Sequence, residues 1–124
     1  MMTRVHKRNP VWGLLALLLM FWLSASQAMT LRELRALEKS DKKQGDLYAR
    51  YYLVGVMEGA IEASAQAERD GHPPTICLRG RRLEPRMARD LFDGELRRNK
   101  DLYEADFPVQ FVMTQALVSA YSCE

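Results

Sequence analysis

Two cysteines, Cys77 and Cys123, constrain the fold of this 124-residue chain more than any other residues. They lie 46 positions apart and form no Cys-x-x-Cys pair, which leaves a thiol redox centre as a weak alternative. His72 is the one histidine after residue 28, so zinc ligation is a second weak alternative. An even cysteine count is typical of a disulfide in small exported chains, and the N-terminal segment described next predicts export. We therefore predict a structural disulfide between Cys77 and Cys123.

The N-terminal segment has the order of a secretory signal peptide. Basic residues between Arg4 and Arg8 precede an apolar run from Val11 to Leu23, and small and polar residues follow up to Ala28. We predict a cleaved signal peptide over residues 1–28 and export to the periplasm. The alternative is an uncleaved membrane anchor, but a spanning helix needs about 20 apolar residues and this run is shorter. In that alternative, the uncleaved signal segment would be the only part of the protein that contacts a membrane.

The remaining segment, residues 29–124, is predicted to form a single domain with a small core. The full chain carries a net charge of +2, and the signal segment holds basic side chains and no acidic ones. Its removal leaves a slightly acidic domain. Because affinity for nucleic acid is mostly electrostatic, a nucleic-acid partner is not expected.

Helical periodicity recurs along residues 29–124, and no stretch alternates as a half-buried strand would. Thr30 and Glu33 match a capping box, which predicts the start of a first helix. The longest helix is predicted from Asp46, as N-cap, to Arg69, with Gly71 as its left-handed C-terminal residue.

Two further helices are predicted to begin near Leu83 and at Asp106, each with a proline close to its start. The fold class is therefore all-α, a small bundle of about four helices with one disulfide.

Small residues recur at every fourth position of the predicted central helix. They are Gly55, Gly59, Ala63 and Ala67. Such a ridge lets another helix backbone approach, and we predict close packing inside the domain. A membrane dimer motif is the alternative, but Glu58 and Glu62 on the same helix argue against a lipid setting.

No constellation of catalytic residues is visible. His72 lies beside two prolines in a predicted loop, where a histidine is usually solvated. Glu58 and Glu62 are one helical turn apart, which is more typical of a solvated face than of a glycosidase carboxylate pair. We predict that the protein is not an enzyme and carries no cofactor or metal.

A basic stretch follows the predicted loop. It contains Arg79, Arg81, Arg82, Arg86 and Arg89. It could bind an anionic partner, although the acids Glu84, Asp90 and Asp93 favour a solvated, balanced surface.

Three segments carry a resemblance to a known family: residues 52–56 (YLVGV), residues 76–78 (ICL), and residues 116–123, which run from Ala-Leu to Tyr-Ser-Cys. In this order, behind a signal peptide, they resemble the Tai family. These are small periplasmic immunity proteins that bind and block cell-wall amidase effectors delivered by type VI secretion. The resemblance covers roughly residues 47–123. It implies a helical fold, pairs Cys77 with Cys123, and names a cell-wall amidase effector as the partner.

Two functional hypotheses follow from the sequence. The first is a periplasmic binding protein that inhibits a cell-wall amidase, as the resemblance implies. The alternative is an envelope protein or an acid-stress chaperone-like helical protein with no toxin partner. The sequence does not locate partner-binding residues, and a homodimer remains open.

Overall fold

A computed structural model describes Gly13 and residues 28–124. The signal peptide predicted over residues 1–28 therefore lies outside the described residues, except for Gly13 and Ala28. The described helices are α1 (Leu31–Ser40), α2 (Gln44–Arg69), α3 (Met87–Arg98) and α4 (Val109–Ala120). Residues 28–124 contain no strand beyond an isolated bridge between Thr30 and Pro108. The predicted all-α bundle of about four helices is confirmed.

The predicted capping box opens α1. The Thr30 hydroxyl accepts a hydrogen bond from the backbone N–H of Glu33 at 3.2 Å, and the Thr30 N–H donates to the Glu33 carboxylate at 2.7 Å. The Thr30 N–H and the Thr30 hydroxyl, which donates to the same carboxylate at 3.0 Å, hold the pKa of Glu33 below its usual value. The N–H of Leu31 donates to the carbonyl of Phe107 at 3.0 Å, which ties the start of α1 to the segment before α4.

The start of α2 differs from the prediction. The helix begins at Gln44 rather than after Asp46. The Asp41 carboxylate accepts from the N–H groups of Lys43 and Gln44 at 2.9 and 3.0 Å, so an acceptor five residues before Asp46 binds the free N–H groups at the start of the helix. These bonds lower the pKa of Asp41. Asp46 lies instead in the first turn, where it pairs with Arg50 at 2.8 Å.

The starts of the last two helices are also later than predicted. α3 begins at Met87, because residues 84–88 first form tight turns in which the N–H of Met87 donates to the carbonyl of Glu84 at 2.9 Å. α4 begins at Val109, with Pro108 as its N-cap in an extended conformation. The predicted left-handed residue after α2 is confirmed, since Gly71 has φ of +88°.

The core lies between α2 and the other three helices. α2 contacts α1, α3 and α4, and α3 also packs on α4, so α2 is the central helix as predicted. Its inner side contributes Ala49, Leu53 and Met57, each 0–1% exposed. The other fully or nearly buried apolar side chains include Leu31, Leu34, Phe92, Val109, Val112, Met113 and Leu117. No helix in the described part of the chain is long and apolar enough to cross a membrane.

The predicted disulfide is present. Cys77 and Cys123 are joined, with their Cα atoms 5.0 Å apart. The bond ties the segment between α2 and α3 to the residues that follow α4.

A buried carboxylate holds the connection between α3 and α4. Glu95 is 2% exposed, and its Oε1 accepts from the Tyr103 hydroxyl at 2.6 Å and from the Asn99 amide at 2.9 Å. Burial raises the pKa of the Tyr103 phenol, and its hydrogen bond to Glu95 raises the pKa further. The ring of Tyr103 also packs edge-on against Phe107, with centroids 5.8 Å apart.

We expect Tyr103→Phe to lower the free energy of unfolding by about 1–2 kcal/mol, because the buried Glu95 carboxylate loses its shortest hydrogen bond. Urea unfolding would measure this loss. Tyr48→Phe is the matched control: Tyr48 is 56% exposed, so removing its hydroxyl should change stability by no more than about 0.5 kcal/mol. Equal effects of the two substitutions would mean that the Tyr103–Glu95 bond contributes nothing.

Candidate functional site

The segment between α2 and α3, residues 70–86, is fixed to the rest of the molecule at several points, and we refer to it as the braced loop. Beside the disulfide, the N–H of Cys77 donates to the carbonyl of Tyr121 at 2.8 Å. The N–H of Ile76 donates to the Ser64 hydroxyl on α2 at 3.3 Å. The loop is thus held both by α2 and by the end of α4.

The tip of the braced loop is a turn with two consecutive left-handed residues. Arg79 has φ of +51° and Gly80 has φ of +79°. A non-glycine residue seldom adopts this conformation, so the surrounding contacts must stabilise it. The Arg79 guanidinium donates to the backbone carbonyl of Glu124, and the Arg81 guanidinium lies 5.9 Å above the Tyr121 ring.

The basic stretch predicted from the sequence divides into two groups. Arg86 pairs with Glu84 at 2.6 Å, and the half-buried Arg89 pairs with Glu38 on α1 and with Asp93. Acidic side chains therefore balance the positive charges of Arg86 and Arg89, as expected. Arg79, Arg81 and Arg82 are exposed, and none of them has a carboxylate partner among residues 28–124. They give the tip of the braced loop a local positive charge.

A groove of about 480 Å³ separates the braced loop from α2. Its apolar floor includes Met57, Ile61 and Leu78, and its rim carries charged side chains of both signs. These are Arg81, Arg82, Glu58 and Glu84. The braced loop thus combines a charged edge with an apolar recess, which is the usual composition of a protein-binding surface.

The small-residue ridge of α2 does not pack inside the domain, so that prediction is wrong. Gly55 and Gly59 are exposed, and a Cβ atom built at either would have no neighbour within 4 Å. The other helices pack on the opposite side of α2, around Leu53 and Met57. The ridge instead lines a groove of about 530 Å³ whose other wall is formed by Gln110 and Thr114 of α4.

Large apolar side chains are exposed at the N-terminal half of α2. Tyr51 is 68% exposed, Tyr48 is 56% exposed and Leu47 is 47% exposed. Contiguous exposed aromatic residues on a rigid element are typical of interaction surfaces. α2 therefore presents a second candidate surface, separate from the braced loop.

The residues considered for catalysis do not come together. His72 is exposed in the braced loop, and Glu62 is exposed and pairs with Arg69 at 2.5 Å. Glu58 lines the groove beside Arg82 and makes no hydrogen bond in the described part of the chain. The described residues also contain no group of three or more His, Cys, Asp or Glu side chains placed to hold a metal ion.

Comparison with known proteins adds no relative. No family model, curated protein or solved structure matches this chain. The functional argument therefore rests on the two surfaces.

Sequence analysis identified the arginines of the braced loop but not the residues that fix them. Tyr121 supplies both the carbonyl that binds Cys77 and the ring below Arg81, and Ser64 anchors Ile76. Tyr121 had a sequence signal, since it lies two residues before Cys123. Ser64 had none, because a serine in the middle of a helix usually faces solvent.

Proposed function

We propose that this protein is a periplasmic inhibitor that binds another protein through the braced loop, as the Tai immunity proteins that it resembles bind cell-wall amidases. The braced loop carries the proposal. It is an exposed, arginine-rich segment held by one disulfide, backbone hydrogen bonds to two other elements and a guanidinium–ring contact.

Pre-organisation is the physical argument for an inhibitor. A loop that is already fixed loses little conformational entropy when it binds, so more of its contact energy becomes affinity. Arginine is enriched among the residues that dominate protein–protein binding, and Arg81 and Arg82 have no carboxylate partner among residues 28–124 to give up. Arg79 also has a left-handed backbone conformation, and residues with such strained conformations occur mainly at functional sites.

The compartment supports the same proposal. A disulfide is consistent with an oxidising compartment, and the order of the N-terminal segment is that of a signal peptide. An inhibitor of a cell-wall amidase has to meet that enzyme outside the cytoplasm.

The test starts with protein purified from the periplasmic extract of cells that express the full chain. Immobilised, oxidised protein is mixed with the periplasm of bacteria that carry type VI effectors, and the bound proteins are identified by mass spectrometry. We expect one cell-wall amidase in equimolar amount, whose lytic activity falls when the inhibitor is added. Recovery of many unrelated proteins, and only at acid pH, would favour the chaperone-like alternative.

The braced loop is tested by charge reversal. We expect Arg81→Glu/Arg82→Glu to weaken binding of the captured amidase by at least about 30-fold, measured by calorimetry, because two contact arginines become repulsive. Lys42→Glu/Lys43→Glu makes the same charge change in the exposed α1–α2 turn and should bind normally. If both pairs reduced affinity equally, net charge rather than the braced loop would govern binding.

A further inference from the structure

The groove between the braced loop and α2 has an apolar floor that the fold leaves partly open to solvent. Ile61 of α2 and Leu78 and Leu83 of the loop line this floor, and each of them is half-buried. Met57 also lines it and is 1% exposed. Covering half-buried apolar side chains with another apolar group is favourable, because it removes apolar area from water. The floor therefore suits an apolar side chain of a binding partner.

The size and shape of the groove suit a short segment of polypeptide. Its volume of about 480 Å³ is comparable to that of sites that hold drug-sized ligands, about 300–1,000 Å³. Such sites usually enclose about 70–90% of a small ligand, whereas this groove is open along one side. An extended segment needs no such enclosure, since it buries alternate side chains and leaves the others in solvent.

The two walls of the groove carry unpaired charges of opposite sign. The loop wall carries Arg81 and Arg82, which are exposed and have no carboxylate partner among the described residues. Glu84 on the same wall pairs with Arg86 at 2.6 Å, so its charge is already balanced. The α2 wall carries Glu58, which is exposed and forms no ion pair within residues 28–124.

This charge arrangement selects the chemistry of the occupant. Glu58 lines the same groove as Arg81 and Arg82 and pairs with neither of them in the described structure, so the two walls do not neutralise each other. A purely acidic occupant would be repelled by Glu58, and a purely basic one by the two arginines. An occupant with an acidic end and a basic end complements both walls.

We propose that the groove binds an extended segment of the partner protein that has an acidic side chain, an apolar side chain and a basic side chain in that order along its length. The apolar side chain covers the floor, the acidic one faces Arg81 and Arg82, and the basic one faces Glu58. The inference rests on the proposed function, because the segment belongs to the protein that the braced loop binds. It adds Glu58 of α2 to the binding surface.

Two synthetic peptides with blocked ends test the inference without the amidase. The dipolar peptide has two Asp, two Leu and two Lys residues in that order. The control peptide has the same composition, with one Asp and one Lys at each end. Titration into the purified, oxidised protein is followed by NMR of the Ile61 and Leu78 amides. We expect the dipolar peptide to shift these signals and to bind about fivefold more tightly, because an exposed charge pair contributes only modestly.

A substitution on the α2 wall gives the inference a sign of its own. Glu58→Lys should remove the preference for the dipolar peptide and weaken binding of the captured amidase about fivefold, although it makes the protein more basic. A surface that selected its partner by positive charge alone would bind more tightly after this change. Glu68→Lys makes the same charge change at an exposed position of α2 outside the groove and should leave both affinities unchanged.

The inference is overturned if neither peptide shifts the groove amides, if both peptides bind equally, or if Glu58→Lys keeps the preference. It is also overturned, while the proposed function stands, if Arg81→Glu/Arg82→Glu weakens amidase binding and Glu58→Lys does not. If the peptide preference holds but no amidase is captured, the choice of an amidase as partner is wrong and the chemistry of the groove is supported.

Discussion

Replacing Cys77 and Cys123 with serine should lower the free energy of unfolding by about 3–4 kcal/mol. The bond closes a loop of 46 residues, and without it the unfolded chain gains the entropy of that loop. A typical domain is stable by only about 5–15 kcal/mol, so the loss removes a large share of the total. The expected loss is below the upper limit of loop-closure entropy because unfolded chains retain some structure.

Loss of the disulfide should affect the braced loop more than the helices. Without the bond, the braced loop keeps the hydrogen bond from Cys77 to Tyr121, the bond from Ile76 to Ser64 and the stacking of Arg81. These contacts are few, so the loop should open more often than the bundle unfolds. Trypsin should then cleave after the loop arginines before it cleaves the helices.

Urea unfolding of the oxidised protein, the reduced protein and the double serine variant measures the global effect. Reductant should shift the curve of the native protein and leave that of the variant unchanged. A Cys77→Ala/Cys123→Ala variant separates the loss of the bond from the cost of placing serine hydroxyls at two half-buried positions. A loss below about 1 kcal/mol in both variants would contradict the prediction.

The parts of the fold that could be predicted are those decided by neighbours in sequence. The capping box of Thr30 and Glu33 and the left-handed Gly71 each depend on a few adjacent residues, and both are found where expected. The N-cap of α2 was predicted three residues late because both Asp41 and Asp46 can supply an acceptor at a helix start. The choice between them depends on how α1 ends, which no local pattern encodes.

The candidate site was predicted only in part, because its geometry comes from contacts distant in sequence. Spacing identified the disulfide, and composition identified the arginines. The separation of Arg86 and Arg89, which are paired, from Arg79, Arg81 and Arg82 depends on contacts with other elements, such as Glu38 on α1. The ridge of Gly55 and Gly59 was expected to pack inside the domain, but periodicity does not show that both glycines face a groove. Glu95 gave no signal, since its burial depends on Tyr103 in the next loop.

The role of Gly45 also depends on a contact with another helix that the sequence does not reveal. Its replacement is the second substitution for which we expect a large loss of stability. A glycine after a polar run often follows the end of a helix, yet Gly45 lies inside the first turn of α2 and is buried. Its N–H donates to the carbonyl of Asp41 at 2.9 Å. A Cβ atom at this position would lie 2.3 Å from the carbonyl oxygen of Leu37 and 3.1 Å from that of Glu38. The missing side chain therefore lets the last turn of α1 lie directly against α2.

We expect Gly45→Ala to lower the free energy of unfolding by about 3 kcal/mol, the upper end of the usual cost of overpacking a buried site. Alanine alone would stabilise the helix by up to about 1 kcal/mol, so any net loss measures the collision with α1. The colliding atoms belong to the backbone of α1 and cannot rotate away, unlike the end of a side chain. Relief requires α1 to move as a unit, which would separate Leu34 and Leu31 from the core.

Gly94→Ala is the matched control for this prediction, because Gly94 is also a buried glycine within a helix. A Cβ there would come closest to the Arg98 guanidinium, at 3.2 Å; that side-chain end is 57% exposed and pairs with Glu95 at 3.3 Å, and it can shift as a backbone atom cannot. We expect a change within about 1 kcal/mol for Gly94→Ala. Urea unfolding compares the two variants, and hydrogen exchange in α1 shows whether its amides lose protection first in Gly45→Ala. If Gly45→Ala were instead as stable as Gly94→Ala, α1 could not lie as close to α2 as this glycine allows.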